Sequence, residues 1–184
     1  NTLMRFGKVF QQTYTRFLDL QKAETQAKEA IKASSLNRVR AEIASMRTID
    51  DLQRITPLIW RELNTLGVSF IRCGIFIMNE ENEHAQVHLS APDGYPLAAL
   101  DLPFQFNELF VQVVEHWHQG NIFETHWNKQ EFLSFMQSMI QQGQVQNKET
   151  FQGASAPPEA LCLHFVPFKQ GMIYVGNTSP LKSE

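Results

Sequence analysis

In the first half of the chain stands the run Phe70-Ile71-Arg72-Cys73-Gly74-Ile75-Phe76-Ile77-Met78. Aromatic and β-branched residues dominate this run, and both types are enriched in β-strands. The polar stretch Asn79 to Glu83 that follows is typical of a turn, and Ala85 to Ala91 is again rich in strand-forming residues. The two runs therefore predict a β-hairpin.

On the C-terminal side, the next features also predict strands. Pro92-Asp93-Gly94 is a strong turn signal, and Leu97 to Phe104 is a candidate third strand. The chain closes with Ala160 to Phe168, a short turn at 169–171, and Met172 to Asn177, which together predict a second antiparallel hairpin. We expect an antiparallel sheet of about five or six strands.

On the N-terminal side of the first hairpin, the pattern predicts an amphipathic helix. Thr48 stands before two acidic residues and is a candidate N-cap. Gly67 lies at the usual stopping position, and Pro57 inside the helix predicts a kink. The apolar face of this helix comprises Leu52, Ile55, Ile59 and Leu63.

Two more helices are predicted between the hairpins. Asn107 is a candidate cap for a helix through His118 that Gly120 ends, and Asn128 to Gln141 has apolar residues at helical spacing. The polar stretch Gln142 to Glu159 is expected to be a long loop. The order of elements predicts the α+β class, with helices on both faces of the sheet.

The chain opens with a long helical pattern from Leu3 to Met46, which contains almost no Gly or Pro. Its apolar residues recur every three or four positions, as in a coiled coil, and the phase of this repeat breaks near Ser34 and Ser35. We expect a long helix over 1–47 that pairs in a homodimer, followed by a compact domain over 48–184. The candidate dimer contacts are Phe6, Phe10, Thr13, Phe17, Leu20, Ala27 and Ile31.

Composition excludes several classes of function. The net charge of −3 provides no general basic field for nucleic acid. Apolar runs stay well short of the roughly 20 residues that cross a bilayer, so we expect a cytoplasmic chain without membrane contact. Cys73 and Cys162 lie in apolar runs, where reduced, buried thiols are expected.

Several of these segments carry a resemblance to a known family. The resemblance rests first on two pairs of segments in the predicted hairpins. They are Leu66-Gly67-Val68 leading into Arg72 to Met78, and Leu163 to Phe168 followed by Gly171 to Gly176. On these patterns the chain resembles a GAF domain, a ligand-binding and signalling module. The stretch Arg5 to Glu24 is similar to the helix that joins GAF-type modules in multidomain bacterial sensor histidine kinases.

The resemblance covers roughly Thr48 to Asn177 and implies a role in two-component signal transduction, with neighbouring signalling domains in the same chain. It also implies a C-terminal helix, of which Ser179 to Glu184 would be only the beginning. In cyclic-nucleotide-binding relatives the strand around Cys73 and its partner line the pocket. The resemblance therefore implies that Gly74, Phe76 and His88 face a ligand.

The remaining pocket candidates are aromatic residues that would line part of such a site: Phe104, Phe106, Trp117 and Trp127. The same residues also fit a hydrophobic core without a ligand. Neither a bilin nor a cyclic nucleotide is favoured, because the Cys-His dipeptide and the phosphodiesterase motif that mark those relatives are missing. We expect no required cofactor, and ligand identity stays open.

Catalytic and metal-binding patterns are missing from the sequence. His116 and His118 are two apart on a predicted helix and would point to nearly opposite sides, so we expect no metal site there. Cys162 and His164 would share one strand face, but a third group to orient the histidine is not identifiable. We expect no catalytic residue and no enzymatic activity.

The favoured hypothesis is a cytoplasmic GAF-type sensory or relay module that dimerises through its N-terminal helix. It would pass a ligand-driven or upstream conformational change to an output kinase. Two alternatives remain: a structural dimerisation spacer without ligand, and a small-molecule enzyme on a GAF-like fold that uses cysteine chemistry.

Overall fold

A computed structural model describes residues 2–48, 51–90, 94–95, 99–145 and 157–181. The chain divides into two compact units, Asn1–Ala44 and Ser45–Glu184. The predicted turn at Pro92 and Asp93, most of the loop predicted over 142–159, and residues 182–184 of the expected C-terminal helix lie outside the described residues.

The first unit is formed by helix α1, Thr2–Ser45, as the spacing of apolar residues predicts. The helix runs without interruption through Ser34 and Ser35, where the phase of the apolar repeat changes. Both serines bond to one arginine: Arg38 donates from Nη1 to Ser34 Oγ at 2.7 Å and from Nη2 to Ser35 Oγ at 3.2 Å. The phase break therefore changes the exposed pattern without ending the helix.

The second unit is built on an antiparallel sheet, which confirms the α+β class. Within the described residues the sheet has six strands in the order β3-β2-β1-β6-β5-β4. The strands are β1 Arg72–Asn79, β2 His84–Leu89, β3 Leu100–Pro103, β4 Phe123–Asn128, β5 Ala160–Phe168 and β6 Gly171–Asn177. Both predicted hairpins form, as β1-β2 and β5-β6. The two hairpins meet where β1 pairs with β6.

Strand β4 is absent from the sequence-based prediction, which passes from one helix to the next without a strand between them. In β4, Phe123, Thr125 and Trp127 face one side and alternate with polar residues, which is the period-two pattern of a half-buried strand. The strand pairs with β5 and forms one edge of the sheet.

Three helices accompany the sheet in the described residues: α2 Leu52–Thr65, α3 Glu108–Gln119 and α4 Lys129–Gln141. The prediction that Thr48 caps α2 is wrong, because Asp51 occupies the N-cap position. The Asp51 carboxylate instead accepts the backbone N–H groups of Arg47 and Thr48, at 2.8 and 3.1 Å. Helix α2 continues through Pro57.

The predicted cap and stop of α3 are confirmed, and α4 begins with a cap that was not predicted. Asn107 accepts the Phe110 N–H at 2.9 Å, and Gly120 ends α3 in the left-handed conformation that favours glycine. Asn128 and Glu131 form a capping box at the start of α4.

The helices pack on different faces of the sheet. Helix α2 packs on β1 and β2, whereas α3 and α4 pack on β5 and β4. The buried residues of α3 and α4 join one core cluster with the strand face that includes Phe76 and Val87. Ile55 of α2 is buried outside that cluster. The face that carries Phe76 is called the inner face below.

Candidate functional site

A cavity of about 390 Å³ lies between the inner face of the sheet and helices α3 and α4. Its wall is mostly apolar, with aromatic rings from every side. The aromatic lining residues are Phe76, Phe110, Trp127, Phe132, Phe135, Phe165 and Tyr174. Protein interiors seldom contain voids much larger than a water molecule, so a space of this size inside the core is a candidate ligand site.

Strand alternation explains why the floor of the cavity is apolar. Register places Val87 opposite Phe76, Leu100 opposite Val87, and Leu163 opposite Gly176, so these residues share the inner face. Because successive residues point to opposite faces, the polar residues between them are kept away from the cavity.

One cation interrupts this apolar wall. Arg72 is the first residue of β1, shares the inner face with Gly74 and Phe76, and is only 7% exposed. Its burial lowers the pKa of the guanidinium from its usual range, while proximity to Tyr174 raises it. Arginine remains protonated in proteins at neutral pH, so the wall carries a positive charge. The described lining residues include no Asp or Glu.

The phenol of Tyr174 lies close to this cation because of a glycine. Gly176 pairs with Arg72 across β6 and β1, and a Cβ atom at position 176 would lie 2.4 Å from Tyr174 Oη. The phenol therefore occupies space that any other residue at this position would fill. Burial raises the pKa of Tyr174 to about 12, whereas the charge of Arg72 lowers it. The neutral phenol thus provides an O–H donor beside Arg72 at neutral pH.

Two of the seven predicted pocket residues, Phe76 and Trp127, line the cavity. The ring of Phe76 contacts those of Phe110 and Phe165, with centroids 6.0 and 5.5 Å apart. Gly74 lies on the inner face but does not line the cavity, because the Leu89 side chain lies 2.6 Å from where its Cβ would be.

His88 does not line this cavity, so its predicted placement is corrected. It pairs with Ile75, whereas the inner-face residues Gly74 and Phe76 pair with Leu89 and Val87. His88 therefore lies on the opposite face of the sheet.

The other three aromatic candidates lie around the cavity rather than in its wall. Phe106 packs behind the wall against Phe135, with ring centroids 6.2 Å apart. Phe104 packs edge-on against Trp117, whose Nε1 donates to the Phe168 carbonyl at 3.1 Å. These contacts place all three in the core or its margin.

Sequence reasoning missed Arg72 and Tyr174 as pocket residues. A signal was present, since Arg72 is the only charged residue within the run from Phe70 to Met78 and lies an even number of positions from Phe76. For Tyr174 the informative feature is the glycine two residues later, but only the register of β1 against β6 brings it beside Arg72.

The cysteines and histidines lie in different surroundings. Cys73 is fully buried with its sulfur 3.6 Å from Ser90 Oγ, and burial raises the pKa of its thiol to about 11. His164 Nδ1 lies 3.2 Å from Glu124 Oε1, and the backbone N–H of Leu181 points to Nε2 at 3.5 Å. Glu124 is thus a partner for His164 that the sequence did not reveal.

Two other features are absent from the part of the chain that the structure describes. The described residues contain no group of three or more His, Cys, Asp or Glu side chains placed to hold a metal ion. No helix among the described residues is both long and apolar enough to span a membrane.

Comparison with known proteins gave a similar solved structure but no similar sequence. No family model matches the chain, and no curated protein sequence matches it. The chain is similar in structure to the GAF domain from an Acinetobacter phosphoenolpyruvate-protein phosphotransferase, at 15% sequence identity and a TM-score of 0.44. The match covers 83% of this chain and 81% of that one.

Proposed function

We propose that this chain is a sensory module of GAF type in a bacterial signalling protein, and that its signal is a small molecule bound in the inner-face cavity. The observation that carries the proposal is the cavity of about 390 Å³ with Arg72 in its wall. The resemblance of the two hairpin segments to GAF domains supports the same assignment.

A ligand in this cavity would gain dispersion contacts with the side chains around it. It would therefore stabilise the conformation that closes around it. A ligand with different affinities for two conformations shifts their populations, which is the basis of a sensor.

Helix α1 supplies the relay in this proposal. Its apolar seam is exposed in the single chain: Phe10 is 72% and Phe17 51% exposed. A second copy would cover this seam, as in a coiled-coil homodimer. The change of apolar phase at Ser34 and Ser35 would allow two helix registers of similar energy, and a register shift would carry the signal to an output kinase in the cytoplasm.

The two alternatives explain less. A dimerisation spacer has no need of a cavity with a buried guanidinium. An enzyme that uses cysteine chemistry needs an accessible thiolate, whereas Cys73 and Cys162 are both buried, and burial raises the pKa of the Cys73 thiol to about 11. We therefore propose the sensor over the spacer and the enzyme.

Native mass spectrometry of the full chain purified from its source tests the proposal. We expect a retained small molecule whose removal lowers the thermal midpoint. Leu163→Phe would fill part of the cavity and reduce retention, while Ile173→Phe, on the opposite face, is the matched control and should retain it. Ligand-free spectra and no thermal shift across a metabolite panel would favour the spacer.

A further inference from the structure

We infer that the cavity takes a ligand whose body is a flat, apolar system of about two or three fused aromatic rings. This inference rests on the proposed sensory function and specifies the chemical class of the signal. It concerns the ring system that fills the cavity, whatever substituent that ring system carries.

The size and the two-sided wall of the cavity limit the ligand. Its volume of about 390 Å³ lies near the lower end of the range of about 300–1,000 Å³ that is usual for ligand pockets. Aromatic rings line both sides: Phe76 and Phe165 belong to strands β1 and β5, whereas Phe110 and Phe135 belong to helices α3 and α4. A small, flat molecule fits between these two layers and contacts rings on both.

The polar side chains of the described lining are gathered at one end of the sheet. Arg72 begins β1 and pairs with Gly176 near the end of β6, the Tyr174 phenol lies over that glycine, and Thr178 follows the strand. Apart from the indole N–H of Trp127, the other described lining side chains are hydrocarbon or thioether. A ligand with hydroxyl or amide groups around its whole edge would lose hydrogen bonds to water there with little replacement. The body of the ligand is therefore apolar.

Water is a poor occupant of most of this space. A buried water molecule typically makes about three hydrogen bonds, and cavities lined by apolar side chains stay dry and bind apolar guests such as benzene. Side chains such as Val87, Leu100 and Met139 offer water no strong hydrogen bond. An apolar guest thus displaces little ordered water and gains dispersion contacts with the wall.

The orientations of the wall rings favour an aromatic guest over an aliphatic one. The Phe76 ring stands at 83° to the Phe165 ring and at 32° to the Phe110 ring, with centroids 5.5 and 6.0 Å apart. The Phe165 ring lies at 36° to that of Tyr174. Rings in such different orientations present both faces and edges, and pairs of aromatic rings attract each other edge-to-face or offset-stacked beyond the effect of buried area. A saturated guest lacks these contacts.

Calorimetric titration of the full chain with three uncharged probes tests the inference. 2-Naphthol is flat with apolar edges, decahydro-2-naphthol has the same carbon skeleton and hydroxyl group but is saturated and puckered, and hypoxanthine is flat with polar edges. We expect 2-naphthol to bind at least about fivefold more tightly than the saturated alcohol, because only the aromatic probe makes ring contacts. It should bind at least about tenfold more tightly than hypoxanthine, whose edge groups lose hydrogen bonds to water.

A pair of matched variants locates the binding site. Phe110→Leu removes one ring from the wall and should reduce the preference for 2-naphthol over decahydro-2-naphthol by at least about twofold. Phe10→Leu removes an exposed ring from α1 and should leave that preference unchanged. An equal loss of preference in both variants, or in neither, would contradict binding at the aromatic wall.

Several results with the wild-type chain would overturn the inference, and they hold even if Phe110→Leu fails to fold. Equal affinity for 2-naphthol and its saturated counterpart excludes a site that selects aromatic rings, and hypoxanthine binding as tight as that of 2-naphthol excludes an apolar one. A sugar or an aliphatic molecule retained in native mass spectrometry would overturn this inference while leaving the proposed sensory function intact. Ligand-free spectra together with binding of none of the probes would overturn both.

Discussion

Substitution of Gly74 by alanine should destabilise the sheet at the junction of β1 and β2. A Cβ atom there would lie 2.6 Å from the His88 carbonyl oxygen and 2.6 Å from Leu89 Cδ2. Ordinary contact begins near 3.4 Å, so both pairs would be about 0.8 Å too close. The leucine side chain can turn into the cavity, but the carbonyl belongs to the paired strand and moves only with its backbone.

The expected loss combines three contributions. Overpacking costs about 1–3 kcal/mol, and the weakening of neighbouring ladder hydrogen bonds adds about 1 kcal/mol. Alanine also restricts the unfolded chain, which offsets about 0.4–1 kcal/mol of this loss of stability. The free energy of unfolding should therefore fall by about 1–4 kcal/mol, which lowers the urea midpoint by roughly 0.5–2 M for a domain of this size.

Urea titration followed by tryptophan fluorescence measures this change selectively, because Trp60, Trp117 and Trp127 all lie in the second unit. Gly7→Ala is the matched control: it lies in α1, and a Cβ there would meet nothing within 4 Å. The control should leave the tryptophan transition unchanged. A midpoint for Gly74→Ala within about 0.2 M of wild type would refute the close approach of the two strands.

Three further changes have defined outcomes. In the folded chain burial raises the pKa of the Cys73 thiol from 9.0 to about 11, so the native state still holds this proton at pH values where the unfolded state has lost it. The contribution of this thiol to the free energy of unfolding is therefore complete below pH 9 and falls as the pH rises to about 11. Thermal scans should show a smaller alkaline loss in Cys73→Ala, and an equal loss would contradict this. Asn128→Ala removes the capping box of α4 and should cost about 1 kcal/mol in urea unfolding, against no change for the exposed Gln130→Ala. Phe10→Glu should shift sedimentation toward monomer, whereas Gln12→Glu, off the seam, should not; a monomeric wild type would refute the pairing.

Local features of the fold were predictable from the sequence. The cap at Asn107 and the stop at Gly120 depend on side chains within a few residues, so their patterns identify them directly. The hairpins were likewise marked by strand-forming runs around short turns. Strand β4 was not predicted, because its alternation spans only Phe123–Asn128 and its pairing partner lies far along the chain.

The candidate site was predicted less completely, because it depends on register. A shift of one residue turns every side chain of a strand to the other face. The resemblance to GAF domains implied that His88 faces a ligand together with Gly74 and Phe76. The β1–β2 register instead pairs Phe76 with Val87 and puts His88 on the opposite side. The approach of Tyr174 to Arg72 depends likewise on β6 pairing with β1 across a large sequence separation.

A crystal structure of the full chain purified from its source tests the central claim most directly. The account predicts a small molecule in the inner-face cavity, between the sheet and helices α3 and α4. A molecule bound elsewhere, or a cavity that holds no molecule in protein from the source, would contradict it.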